Sequence, residues 1–115
     1  MTLQRQSLRE LVNEEFGTPV EASDDPEITE VGTTALEVLR LNPNRLGFTV
    51  FNLSSAKMYL MFSPRVSATN GFVLGPNGGF ATFFYKNDAM LPGRSWWIIA
   101  DAGSSALKTV EYQTT

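Results

Sequence analysis

The chain has 115 residues, 43% hydrophobic and only 18% charged, with a formal net charge of −3 and neither cysteine nor histidine. That length fits one domain with room for an extension. The missing residue types exclude disulfides, Cys/His zinc sites, thiolate nucleophiles and imidazole acid–base chemistry, and the acidic balance argues against nucleic acid as a partner. No stretch approaches the roughly 20 apolar residues of a membrane span. The opening Met1-Thr2-Leu3-Gln4-Arg5-Gln6 lacks the apolar core of a signal peptide. A soluble protein without a Sec-type export signal and without a membrane partner is expected.

Charge divides the chain. Residues 1–30 hold eight acids against two bases, a net of −6, whereas residues 31–115 hold four acids against seven bases, a net of +3. All aromatics except Phe16 lie beyond residue 47. An acidic arm over 1–27 and an aromatic-rich body over 28–115 follow from this asymmetry.

The arm opens on a helix. Ser7-Leu8-Arg9-Glu10 fits a capping box, and Leu8, Leu11, Val12 and Phe16 recur at helical spacing. Gly17 suits the left-handed position after the last turn, and Pro19 bars continuation. The spacing predicts a helix over 8–16. Isolated helices under about 12–15 residues are marginal in water, so its apolar stripe needs a surface, on its own body or on a neighbouring subunit. The acidic run from Thr18 to Pro26 has no periodicity and reads as a linker, long enough to carry the helix to another subunit as a clasp that orders on binding. Asp24-Asp25-Pro26-Glu27 lacks the spacing and glycine of an EF-hand loop and reads as solvated.

From Ile28 onward the signals are β. Strands are expected at Ala35–Leu41, Leu46–Leu53, Lys57–Phe62, Gly71–Leu74, Phe80–Tyr85, Ser95–Ala100 and Ala106–Tyr112, with a further short one near Ile28–Val31. Turn residues separate them, and starts recur every 8–12 residues or so, too short for βαβ crossovers. The fold expected is all-β, an antiparallel β-sandwich or flattened barrel of about 7–8 strands with a short N-terminal helix. The expected core is Leu46, Phe48, Val50, Leu60, Phe62, Phe84, Ile98 and Val110. Several strands are apolar on both faces, which predicts that a second face is covered by the arm, by loops or by another chain.

Catalytic chemistry is hard to place. The body's acids, Glu37, Asp88, Asp101 and Glu111, are scattered; only Glu37 and Glu111 could meet across strands, and nothing selects them as a pair. Gly75-Pro76-Asn77-Gly78-Gly79 lacks the Gly-Lys-Ser/Thr ending of a phosphate loop and reads as a hairpin or tight crossover. No enzyme, metal or cofactor is expected. Adjacent Trp96 and Trp97 must point to opposite faces of their strand, one into the core and the other toward a partner, since tryptophan is enriched at interface hot spots. Leu8, Leu11, Val12, Phe16, Tyr85 and Trp97 are the expected partner-facing residues.

The body resembles small structural proteins of tailed-phage virions. Asn42-Pro43-Asn44-Arg45-Leu46-Gly47-Phe48-Thr49-Val50-Phe51-Asn52-Leu53-Ser54 is similar to their "NPNR" turn leading into a strand that ends in "N-L/P-S". Tyr59 to Ser67, Gly71 to Leu74 with Gly78-Gly79-Phe80, and Trp97 to Gly103 followed by Lys108 to Tyr112 resemble, in order, their later strand, glycine and closing-hairpin segments. Phe83-Phe84-Tyr85 and Trp96-Trp97 are bulkier than the pattern. The resemblance covers residues 40–113 and not the arm. It implies a β-sandwich virion component: a capsid decoration or cement protein bound to the major capsid protein and to itself, as a homo-oligomer for which the family suggests a trimer, on the capsid exterior after synthesis in the bacterial cytoplasm. A tail- or fibre-associated receptor- or carbohydrate-binding module and a head–tail connector component are the alternatives it implies. It brings no catalytic residues.

Overall fold

Helix α1 (Leu8–Phe16) starts and stops where local chemistry requires. The Ser7 hydroxyl accepts the Glu10 N–H at 3.2 Å, and Gly17, at φ 68°, donates its N–H to the Asn13 carbonyl at 2.7 Å. The computed structural model describes residues 7–24 and 26–114. Among these, nine strands follow: β1 (Val20–Ser23), β2 (Thr29–Val31), β3 (Leu36–Leu39), β4 (Arg45–Asn52), β5 (Met58–Met61), β6 (Phe72–Leu74), β7 (Gly79–Phe84), β8 (Trp96–Ala100) and β9 (Ser105–Thr114). A one-turn helix α2 (Tyr85–Asp88) and a 3₁₀ turn (Leu91–Gly93) link β7 to β8.

All pairings are antiparallel, in two sheets. The first runs β1-β9-β4-β7, with β2 lying beside the other half of β9; the second runs β3-β8-β5-β6. With β2 as the first outer strand, the order β2-β9-β4-β7 facing β3-β8-β5-β6 is that of an eight-stranded jelly roll. The expected antiparallel sandwich is thus present. Strand β1 is an addition: Val20 to Ser23 pair with Thr114 to Glu111, so the stretch expected to be a linker contains a strand. Its partner lies some ninety positions away, beyond the reach of local patterning. The glycine-rich segment is a crossover from β6 to β7 in the other sheet. A Cβ on Gly79 would lie 2.2 Å from the Gly75 oxygen, and Gly78 sits at φ 107°.

The core between the sheets holds Phe48, Val50, Leu60 and Ile98, as expected, with Val31, Leu39, Met58, Leu74, Phe83, Trp96 and Leu107. Trp96 is its largest fully buried side chain, and Phe48 and Phe83 pack on it with centroids at 5.2 and 4.6 Å. Phe62 is partly buried against this cluster. Three expected core residues are not in it. A bulge between Arg45 and Gly47 shifts the phase of β4, so Leu46 is only half-buried. Strand β7 turns Phe83 inward and Phe84 outward, and β9 turns Ser105, Leu107 and Thr109 inward and Val110 outward. Where both faces of a strand are apolar, alternation gives the two sets but not which is inside.

Candidate docking faces

Each of the four acids beyond residue 31 has a structural partner. Glu111 accepts the Arg45 Nε–H at 2.6 Å, the Asp88 carboxylate accepts the Phe84 N–H at 2.9 Å, Asp101 accepts the Tyr59 hydroxyl at 3.2 Å, and Glu37 lies 3.9 Å from the exposed Arg40. Glu37 and Glu111 belong to different sheets and form no facing pair. Among the described residues, no cluster of three or more acids could hold a metal ion, and no helix is long and apolar enough to cross a membrane.

The distinctive surfaces are the outer faces of the sheets. On the first sheet, antiparallel register places Phe80 opposite Phe51, Thr82 opposite Thr49 and then Val110, and Phe84 opposite Gly47 and then Tyr112. The Phe51 and Phe80 rings lie 6.1 Å apart, and the Thr49 and Thr82 hydroxyls 3.0 Å apart. The outward residues of β4 and β7 in these rows carry no charge. Lys108, the next residue in the Phe80–Phe51 row, directs its ammonium 3.1 Å from the Asp24 carboxylate. Phe80 is 65% exposed.

On the second sheet, Trp97 stands between Glu37 and Met61, with Ile99 beside Tyr59 in a neighbouring row. Tyr59 is buried although it faces outward, because the segment around Val66 folds over it: a Cβ on Gly71 would touch both Tyr59 and Val66 at 3.3 Å. Burial, then the Asp101 contact, pushes the Tyr59 hydroxyl pKa up. Half-buried Trp97 lines an open cleft of about 390 Å³ with Leu41, Phe62, Ser63, Ser95 and Arg94, whose guanidinium sits 4.9 Å over the Phe62 ring.

The arm meets the body at the C-terminal end of α1. Phe16 packs edge-on to Tyr85 at 5.8 Å, and the Tyr85 hydroxyl donates to Glu15 at 2.9 Å, with the Lys86 ammonium 3.4 Å from the same carboxylate. The Tyr85 hydrogen bond first, and Lys86 next, hold the Glu15 pKa below the usual carboxylate range, whereas burial and then Glu15 raise that of Tyr85. Leu8 and Leu11 remain 77% and 48% exposed. Between α1 and β1 lies a cleft of about 720 Å³ lined by Leu8, Val20, Ala22 and Tyr112 among others.

Of the residues expected to face a partner, Leu8, Leu11, Phe16 and Tyr85 belong to the arm and the surface it rests on, whereas Trp97 lies on the outer face of the other sheet. The Val12 side chain lies outside the described residues. Sequence reasoning missed Phe51, Phe80 and Tyr112 as surface residues; the double-sided apolar pattern was the available signal. No known family model, curated protein or solved structure matches the chain.

Proposed function

We propose that the chain is a structural component of a tailed-phage virion, a decoration protein that binds the major capsid protein from outside and stabilises the shell. The observation that carries this reading is the pairing of a jelly-roll body having uncharged apolar residues on an outer face with an acidic arm whose Leu8 and Leu11 are uncovered. Such surfaces suit attachment by buried area. Many copies on one shell convert weak individual sites into lasting attachment. The exposed arm acids, Glu10, Glu21 and Glu27 among them, suit a basic rim and favour rate and register of docking more than affinity. The resemblance over residues 40–113 supports the same reading.

Purified protein added to undecorated capsids is expected to co-sediment with them and to raise their disruption temperature. Neither effect appearing would overturn the proposal. One feature favours a second reading, a carbohydrate- or receptor-binding module: the Trp97 cleft combines an aromatic with Arg94, Ser63 and Ser95. Trp97→Ala separates the two, since a glycan binder loses its ligand and a decoration protein attached through the other sheet keeps its capsid.

A further inference from the structure

A sheet edge is a row of unpaired backbone groups, and folded proteins blunt it with charge, proline, bulges or brevity. Three of the four edges here are blunted. The β1/β2 edge carries Glu21 and Glu30, β3 is short and irregular with Glu37 beside its register shift, and β6 has three residues. Strand β7 is different. Gly79-Phe80-Ala81-Thr82-Phe83-Phe84 has neither charge nor proline.

The hydrogen-bond ladder shows which groups this edge offers. The Leu53 N–H bonds to Ala106, and the Gly78 N–H to the Asn52 carbonyl. Odd positions of β4 therefore bond toward β9 and even positions toward β7. Phe83 and Ala81, opposite Phe48 and Val50, bond inward, so the backbone groups of Phe80, Thr82 and Phe84 point away from the sheet. The Asp88 carboxylate occupies the Phe84 N–H. Phe80 and Thr82 remain, and no hydrogen bond among the described residues engages their outward backbone groups.

We propose that this edge is a homodimer interface, with β7 of one molecule pairing antiparallel to β7 of a second copy about a two-fold axis at Ala81. This register sets Phe80 opposite Thr82 of the second copy, and Thr82 opposite Phe80 of the second copy, so that each couple exchanges two backbone hydrogen bonds. It consumes the groups left open and leaves the Asp88 cap intact. On the axis, Ala81 faces Ala81 of the second copy as a non-hydrogen-bonded couple, Cα atoms about 4.5 Å apart, the position at which side chains crowd most, and alanine is small. Opposed residues share a face, so Phe80 and Thr82 extend the uncharged outer surface across the axis. Having no charge, the edge meets its own copy without repulsion, whereas the acidic β1/β2 edge repels itself. The pairing involves the body alone and is independent of what the protein attaches to.

The test is the mass of the full chain by sedimentation equilibrium, with no capsid present. The expected result is a dimer, twice 12.7 kDa. Thr82→Pro removes an outward N–H that makes no bond within the sheet, so it is expected to weaken the dimer by about a hundredfold or more. Phe80→Lys, at an exposed position, is expected to weaken it as well and covers the case in which the proline variant does not fold. The chain has no cysteine of its own, so Ala81→Cys should close a disulfide between copies on mild oxidation, the Cα separation lying within the about 4.4–6.8 Å that such a bond spans. Leu53→Cys, exposed elsewhere, should not. A chain that stays monomeric, a trimer, or an oligomer that survives both edge substitutions overturns the proposal.

Discussion

Arg45 and Asn52 bracket β4, and both are buried polar residues whose hydrogen-bonding groups are used. Arg45, 6% exposed, binds through its guanidinium the Glu111 carboxylate and the carbonyls of Arg40, Pro92 and Arg94. It ties β9 and the β7–β8 connection to the start of β4. Asn52, fully buried, donates through Nδ2 to the carbonyls of Ala56, Leu74 and Gly75 and accepts the N–H and hydroxyl of Ser54. Asn42 accepts the Asn44 N–H and donates to Gln113. The polar residues of the Asn42–Ser54 stretch thus hold corners of the fold. Arg45→Met leaves Glu111 without its cation and orphans three carbonyls, and is expected to cost about 3 kcal/mol. Arg45→Lys recovers little, because an ammonium lacks the planar fork. Asn52→Ala is expected to cost about 2–4 kcal/mol by the same orphaning. Urea denaturation measures both.

At the scale of elements, the described side-chain contacts of α1 with the body lie at its C-terminal end. Its Phe16 and Glu15 rest on Tyr85 and Lys86, at the junction of β7 and α2, while Leu8 and Leu11 stay uncovered. That makes docking of the helix sensitive to pH in two windows. The Glu15 pKa is lowered in the docked state, so its contribution is complete above the ordinary carboxylate value, about 4.3, and is lost as pH falls through the lowered one. The Tyr85 pKa is raised, so its contribution is complete below the ordinary tyrosine value, about 10, and is lost as pH rises through the raised one. Ring chemical shifts of Tyr85 and Phe16 followed by NMR are expected to hold steady between these limits and to move toward free values beyond both. Glu15→Gln should abolish the acid transition.

For the whole molecule, the two parts of the arm differ in their attachment. Among the described residues, the hydrogen bonds, ion pair and ring contact shown between α1 and the body gather at the C-terminal end of the helix, whereas β1 continues the first sheet by pairing with the last four residues of β9. A chain beginning at Thr18 is expected to unfold at the temperature of the full protein. One beginning at Glu27 leaves Glu111 to Thr114 without their outer partner, and its melting temperature is expected to fall by several degrees, about 4–8 °C for each kcal/mol lost in a domain of this size. If the clasp reading holds, the shorter deletion alone already weakens capsid attachment. Calorimetry and co-sedimentation on the two truncations separate the roles of the helix and the strand.

The helix was legible in the sequence, together with the body's strands and turns, because their determinants are local. Ser7, Glu10, Gly17 and Pro19 delimit α1 within a dozen residues, and alternation with turn chemistry marks β3 to β9. The apolar character of both faces of β7 and β8 was legible too. Which face turns inward was not. Phe83 rather than Phe84 reaches Trp96 because the facing sheet fixes the phase, and at the register shift between Arg45 and Gly47 the Arg45 guanidinium meets the carbonyls of Pro92 and Arg94, some fifty residues away in the chain. Strand β1 was not legible because four acidic-flanked residues become a strand only beside the tail of β9. Strand order, and with it the identity of β7 as an open edge, is likewise a product of pairings between residues far apart in the chain. Periodicity reports what a segment can become; the choice among faces, partners and edges belongs to the packing of two sheets, whose contacts join residues far apart in the chain.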